Sequence, residues 1–201
     1  MKSDFKTTFK NTEDIAEKNL YKTYLEWQTW LLTFRNLSKN TASAYSYDFK
    51  YFLNFLSFHF EENKISLKFL NKLQIKDYRA WLSFLGSEKI KIGGKSIARA
   101  RASVKSFFSF TILNKKSENS QIFQLSSPKL PKSLPRPLSN NQIQKLITKL
   151  EEEKNSFVKA RNKAFIIILW GTGLRISEAL SLKTNHIEND YFVILGKGKK
   201  E

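Results

Sequence analysis

The chain has 201 residues, of which 41% are hydrophobic, and this is enough to bury one generous core or two small ones. Its 35 Lys and Arg against 18 Asp and Glu give a net charge of +17, which attracts nucleic acid or an anionic membrane surface, although such lysines also serve as plain solvated surface. Because the sequence contains no Cys, disulfides and thiolate metal sites are excluded.

The N-terminal segment MKSDFKTTFKNTEDIAEKN is polar and mixed in charge, and it lacks the apolar region of a signal peptide. The longest apolar run, residues 164–170, is too short to span a bilayer. The two histidines, His59 and His186, do not have metal-ligand spacing, so we interpret them as structural or surface residues. We therefore expect a cytoplasmic protein without a metal site and without membrane association.

Four amphipathic helices are predicted in the first half of the chain, because apolar residues recur there at three- and four-residue spacing. They cover about residues 20–34, 38–60, 75–86 and 97–114. Ser38 is placed to cap the second helix, and Gly86 to end the third. The pattern indicates a small helical bundle, with residues 1–116 as the first domain.

Residues 115–137 are rich in Ser and Lys and contain all four prolines of the chain. Each proline pushes the residue before it out of the helical region. The composition therefore predicts a semi-rigid linker, assigned to residues 117–137, that belongs to neither core.

A second domain is predicted over residues 138–201. Its first helix begins at Ser139, which forms a capping box with Gln142, and it has Ile143 and Leu146 on its buried face. The run 164–170 has no polar face, which is typical of a helix buried on every side, and Gly171 and Gly173 are expected to break it.

A short helical turn over 176–182 and a strand over 191–195 complete the second domain, and the strand leads into a hairpin turn at GKGKK. A hairpin needs a second strand for its backbone hydrogen bonds, and none follows before residue 201. The pattern therefore predicts that this domain is incomplete.

Arg175 stands in the run GTGLRISEAL, just after a glycine break and at the start of a predicted helix. Its planar guanidinium matches two phosphate oxygens, and the glycines let another backbone come close. Glu178 is placed to hold Arg175 in position, although the two residues are equally consistent with an ordinary surface ion pair.

Lys197 lies between Gly196 and Gly198 at the tip of the predicted hairpin, from which it is able to swing into a groove. Taken alone, GKGKK is also typical of a generic basic turn.

Four blocks, in order, resemble the Xer branch of the tyrosine recombinases, in the phage-integrase family. LSKNTASAYSYDFKYFLNF and KSIARARASVKSFFSF are similar to the first and last DNA-facing helices of that family's N-terminal domain. SSPKLPKSLPRPLSNNQIQKLI is similar to the linker and the next helix. GTGLRISEAL, LKTNHI and FVILGKGKKE are similar to the start of the catalytic domain, so the resemblance covers essentially the whole chain.

The resemblance implies a mainly α fold. A four-helix SAM-like core-binding domain would be followed by the start of an α+β catalytic domain, and the two would close as a clamp around double-stranded DNA. The residues expected to contact DNA are Lys39, Asn40, Thr41, Tyr45, Lys95, Arg99, Arg101 and Lys105. On a helical wheel the last four face solvent, which a merely soluble basic helix would also show.

The resemblance also implies metal-independent phosphoryl transfer without a cofactor, in which a tyrosine attacks a backbone phosphate and forms a phosphotyrosine. Arg175 matches the first catalytic arginine, which stabilises charge on the phosphate oxygens. Lys197 matches the hairpin lysine, the general acid for the departing hydroxyl. Glu178 would support Arg175.

The family's second arginine, its histidines and its nucleophilic tyrosine all follow the GKG hairpin, so we expect this chain by itself to be inactive. One hypothesis is a recombinase for chromosome dimer resolution at cell division, working with a second Xer recombinase in a heterotetramer. The alternative is a non-catalytic DNA-binding remnant. A basic structural or membrane-surface protein is a third interpretation, against which the motif order argues.

Overall fold

The computed structural model describes residues 5, 9–88, 90–126 and 137–183. The chain divides into two compact units, Met1–Lys132 and Ser133–Glu201. All named secondary-structure elements in the described residues are helical, which confirms the predicted mainly α fold. The strand and hairpin predicted over 191–198 lie outside the described residues.

The described part of the first unit contains six α-helices and one 3-10 helix. They are α1 (Thr12–Ile15), α2 (Lys18–Thr33), α3 (Lys39–Phe60), α4 (Leu67–Lys72), α5 (Ile75–Gly86), α6 (Gly94–Leu113) and the 3-10 helix (Gln121–Gln124). The four predicted amphipathic helices are confirmed as α2, α3, α5 and α6. The other three elements were not predicted, because four to six residues are too few to show a helical period.

Aromatic side chains fill the core of the first unit. Trp27 of α2, Phe49 of α3 and Phe107 of α6 are fully buried, and the ring centroids of Phe49 and Phe107 lie 4.1 Å apart. Trp81 of α5 extends the cluster, with its ring 4.8 Å from that of Phe52. Such ring pairs contribute about 0.5–1.5 kcal/mol each beyond the apolar area they bury. Helices α2, α3, α5 and α6 therefore share one core.

The segment that follows α6 packs into this core up to residue 126. Ile122 is fully buried and Leu125 is buried, and the 3-10 helix contacts both α5 and α6. The amide nitrogen of buried Asn119 donates to the backbone carbonyls of Leu70 at 2.7 Å and Leu73 at 3.0 Å. The prediction that residues 117–137 lie outside both cores is therefore wrong for 117–126, because two apolar side chains and one amide fasten this stretch to the bundle.

The described part of the second unit contains α7 (Asn140–Leu150), α8 (Ser156–Thr172) and α9 (Ile176–Leu180). The predicted capping box is confirmed, since the Ser139 hydroxyl accepts from the backbone N–H of Gln142 and the Gln142 side chain accepts from that of Ser139. Gly171 lies inside α8, and Gly173 ends the helix in the left-handed conformation at φ 67°, where glycine is favoured.

Helix α8 is not buried on every side, contrary to the expectation from its apolar run. None of its residues is buried, and Trp170 is 51% exposed. Among the described residues of this unit only Ile143 and Ala179 are buried, and Leu146 is exposed. An apolar run shows that a helix is suited to burial, but burial also needs packing partners. In the described part of this unit α8 packs on α7 and α9, and these contacts leave none of its residues buried.

Candidate nucleic-acid interface

The first candidate contact region is the N-terminus of α3. The Ser38 hydroxyl accepts from the backbone N–H of Thr41 at 3.2 Å and caps the helix as predicted. Lys39 and Asn40, in the first turn, are exposed, and Thr41 is half-buried. Because Ser38 satisfies the cap, the side chains of Lys39 and Asn40 are left accessible to a ligand.

The second region is the N-terminus of α6. Gly93 occupies the cap position, where no side chain accepts a hydrogen bond from the first turn, and the space where a Cβ would lie is open. Lys95 and Arg99 are exposed one turn apart on the same face. A helix N-terminus with cations in its first turns is suited to an anionic group.

Side-chain contacts hold α3 and α6 together. The Arg99 guanidinium donates from Nε to Oδ2 of Asp48 at 2.8 Å and from Nη2 to Oδ1 at 3.1 Å. The Ser103 hydroxyl donates to the backbone carbonyl of Tyr45 at 2.6 Å. The hydrogen bonds to Asp48, together with the attraction of its charge, raise the pKa of Arg99 above its ordinary value, whereas partial burial of the guanidinium lowers it. These contacts therefore fix the first turns of α3 and α6 relative to each other.

Asp48 was not singled out from the sequence. An aspartate in the middle of an amphipathic helix is usually a solvated residue, but here it is buried at 6% exposure. The available signal was its position next to Phe49 on the core side of α3, together with an arginine-rich facing helix. Tyr45, predicted as a contact, is half-buried, and its backbone carbonyl is engaged by Ser103.

Arg101 does not face solvent, and that part of the helical-wheel prediction is wrong. The residue is 8% exposed and its guanidinium donates to the backbone carbonyl of Leu125. Lys105 is half-buried, with Nζ 5.2 Å from the centroid of the Phe123 ring. Both contacts come from the segment after α6, which covers this flank of the helix. Arg101 therefore fastens that segment to the bundle.

A basic aromatic cluster on the outer part of α3 was also missed. Lys50 places its Nζ 5.0 Å from the centroid of the Phe9 ring and 6.0 Å from that of Tyr47. Tyr47 is exposed, one turn beyond Ser43 and two turns beyond Lys39. The N-terminal segment is fixed beside it, because the Asn54 side chain exchanges two hydrogen bonds with the backbone of Lys10 at 2.8 and 3.0 Å.

In the second unit, Arg175 and Glu178 form the contact that the sequence suggested. Arg175 Nη1 lies 2.6 Å from Glu178 Oε1, and the backbone N–H of Arg175 donates to Oε2 at 2.8 Å. These hydrogen bonds, the backbone one foremost, lower the pKa of the Glu178 carboxyl. The Arg175 side chain is 69% exposed while that of Glu178 is 13% exposed. Glu178 therefore holds an arginine whose Nε and Nη2 have no partner among the described residues.

Lys197 lies outside the described residues, so its match to the hairpin lysine stays a prediction. Of the predicted contact residues that the structure describes, the cationic ones lie on α3 and α6 of the first unit and, as Arg175, at the start of α9 in the second. Within the ranges that the structure describes, every helix is too short or too polar to cross a bilayer.

Two family models match the chain. Residues 25–115 match the phage integrase N-terminal SAM-like domain, and residues 136–201 match the phage integrase family. The chain therefore belongs to the phage integrase family of tyrosine recombinases.

Its curated relatives are Xer proteins, which confirms the resemblance read from the four sequence blocks. The chain is 37% identical over 190 residues to tyrosine recombinase XerC of Rickettsia prowazekii (strain Madrid E), covering 94% of this chain and 60% of that protein. It is 33% identical over 179 residues to XerC of Rickettsia bellii (strain OSU 85-389), covering 88% of this chain and 58% of that protein. The chain thus spans about three fifths of the length of these relatives.

A solved structure shows the same fold. The crystal structure of XerH site-specific recombinase, bound to palindromic difH substrate in a post-cleavage complex, matches with a TM-score of 0.59. The match covers 98% of this chain and 60% of that chain at 20% sequence identity. At this identity the likeness supports the fold and leaves function to be argued from the residues.

Proposed function

We propose that this chain forms the DNA-binding part and the first catalytic segment of a site-specific tyrosine recombinase that resolves chromosome dimers at cell division. The observation that carries the proposal is the fastened pair of α3 and α6, which presents exposed Lys39, Lys95 and Arg99 at or near two helix N-termini. Family membership supports it, as does the XerH neighbour, which is bound to its difH substrate.

Duplex DNA fits this surface better than a membrane. Phosphate groups are recognised by helix N-termini and by Lys and Arg, and base edges are read by side chains on a helix in the major groove. The first turns of α3 and α6 offer both kinds of group, and Asn40 adds an amide that is able to pair with a base edge. An apolar surface that would insert into lipid is not part of this group of residues.

In the catalytic role, Arg175 would place its free guanidinium N–H groups on the oxygens of the scissile phosphate. An arginine held by Glu178 keeps its direction while charge develops on those oxygens, so little reorganisation is needed in the transition state. Lys197 would act as the general acid for the departing hydroxyl. No metal or cofactor takes part in this scheme.

Binding is tested with the full chain, a labelled random-sequence duplex and a series of salt concentrations. Replacing two proposed contacts in the variant Lys39→Gln/Lys95→Gln should weaken binding and lower the slope of log affinity against log salt by about 2, since each lost phosphate contact changes it by about 0.9. The control Lys18→Gln/Lys22→Gln removes two exposed charges from α2. An equal loss in both variants would show that only net charge attracts the duplex.

The catalytic part is tested by reading the nucleotide sequence downstream of codon 201. The second arginine, the histidines and a tyrosine should follow in frame. Their absence in every frame would contradict a recombinase and would leave a DNA-binding protein.

A further inference from the structure

The Asp48–Arg99 contact uses only one of the two edges of the guanidinium. Arginine carries five N–H groups, and they form a side edge at Nε and Nη2 and an outer edge at Nη1 and Nη2. Asp48 accepts from Nε and Nη2, so it occupies the side edge. Among the described residues nothing accepts from Nη1, and the Arg99 side chain is 46% exposed. The outer edge is therefore open.

We propose that Asp48 is a positioning residue that holds Arg99 so that its outer edge meets a pair of acceptor atoms on duplex DNA. The inference rests on the proposed function, and it adds a residue that does not itself touch the DNA. The acceptor pair is either the O6 and N7 atoms of a guanine or two phosphate oxygens, since the same planar fork matches both.

The Asp48–Arg99 contact is one of several that join the two helices. The Phe49 and Phe107 rings already stack across α3 and α6 at 4.1 Å, and Ser103 donates to the Tyr45 carbonyl at 2.6 Å. In this pair the Asp48 side chain is 8% exposed and that of Arg99 is 46% exposed, so the cost of removing the carboxylate from water and the screening of the guanidinium by solvent offset much of their attraction. We therefore infer that the buried Asp48 carboxylate acts through the exposed edge of the Arg99 guanidinium.

Asp48 acts by orienting the Arg99 side chain. A free arginine side chain samples many rotamers, and it loses this freedom when it binds. Asp48 fixes the guanidinium before the DNA arrives, so less freedom is lost on binding. Asp48 itself lies within α3 and is only 6% exposed, so its side chain has little room to move. Lys95, one turn earlier on the same face of α6, is placed to meet a neighbouring phosphate.

The test uses the full chain and begins with selection of bound sequences from a random duplex library. The enriched duplex is then used to compare the wild type with Asp48→Asn, which keeps the shape of the side chain but removes its charge. Because this change removes one negative charge and so raises the net charge by one, Asp14→Asn at an exposed position of α1 is the matched control. We expect Asp48→Asn to bind the enriched duplex about tenfold more weakly than Asp14→Asn. This is the effect of losing one correctly oriented arginine contact to DNA.

A second set of variants, made in Arg99→Lys, distinguishes positioning of Arg99 by Asp48 from a general structural effect of Asp48. In Arg99→Lys the charge remains but the planar fork is lost, so adding Asp48→Asn to it should change affinity less than about twofold. Thermal unfolding followed by circular dichroism checks that every variant is folded. A further tenfold loss in the lysine background would overturn the proposal, because Asp48 would then act without Arg99.

The enriched sequences identify the acceptor. If Asp48→Asn loses base preference at one position of the enriched sequence, the acceptor is a guanine edge. If its affinity falls equally for all sequences and the slope of log affinity against log salt falls by about 1, the acceptor is a phosphate. Either outcome supports the proposal. Equal affinity and equal preference in Asp48→Asn and Asp14→Asn would refute it. If no variant binds duplex DNA at all, it is the proposed function that fails.

Discussion

The two units of this chain are stabilised in different ways. The first unit buries a continuous set of large side chains, among them Trp27, Phe49, Trp81 and Phe107, from four helices. In the described part of the second, local features dominate: a capping box at Ser139, a cap at Asn155 and a left-handed glycine at the end of α8. Capping specifies where a helix begins and ends, but shared burial gives cooperative stability. The comparison predicts a first unit that folds as a whole and a second whose helices open more easily.

Limited proteolysis should show the largest difference. A resistant fragment containing the first unit is expected to survive, while residues after about 137 are cleaved, because opening of weakly buried helices exposes their backbone. The structure sharpens the expected end of this fragment. It should fall after Leu125, whose burial protects it, and mass spectrometry of the fragment measures this. Equal resistance of both units would contradict the comparison.

Truncation of one tryptophan in each unit tests the same difference by free energy. Trp27→Ala should lower the free energy of unfolding by about 3–5 kcal/mol, because it leaves a cavity among buried rings. Trp170→Ala, at a residue 51% exposed, should change it by less than about 1 kcal/mol. Urea unfolding followed by circular dichroism gives both values. A comparable loss at Trp170 would mean that α8 is a core element of a cooperative unit.

The segment after α6 provides a smaller effect. Asn119→Ala should lower the free energy of unfolding by about 1–3 kcal/mol, because the carbonyls of Leu70 and Leu73 both lose the hydrogen bond from the buried amide. The control Asn140→Ala, at an exposed position in α7, should change the free energy of unfolding by less than about 0.5 kcal/mol. Denaturant unfolding of the two variants measures the difference. If Asn119→Ala unfolds like wild type, the segment does not depend on this amide.

The smallest effect belongs to the Arg175–Glu178 contact. Because the pKa of Glu178 is lowered in the folded state, the contact stabilises α9 above the ordinary carboxyl pKa of 4.5, and this is lost as the pH falls through the folded value. A carboxyl titration by NMR should give a midpoint below 4.5. In Arg175→Gln that midpoint should move back toward the ordinary value. An unchanged midpoint in this variant would show that Arg175 does not hold the carboxylate.

Local sequence patterns predicted the helices well. The period of the apolar residues in α2, α3, α5 and α6, and the caps at Ser38 and Ser139, involve residues within a few positions of each other, so a sequence displays them directly. The residues of the candidate site that lie in first turns, such as Lys39 and Lys95, were found for the same reason.

Apart from the helices that are too short to show a period, the misses depend on contacts between distant residues. The wheel that placed Arg101 in solvent treats α6 as a bare helix, whereas Leu125 covers that flank from 24 positions later. Proline and serine content indicates a linker, but it does not show that Ile122 is buried against the bundle. Asp48 shows its role only opposite Arg99, which lies 51 positions away.

Docking of residues 117–126 on the bundle also changes how far the two units are tethered. At no more than 3.6 Å per residue, the contour length of 117–137 is at most about 75 Å, whereas that of 127–137, the part that follows the docked stretch, is at most about 40 Å. Halving a tether raises the effective local concentration of one binding module near the other by about threefold. Under the proposed function, weakening the Arg101 anchor would therefore lengthen the tether and lower this local concentration without removing any of the proposed DNA contacts.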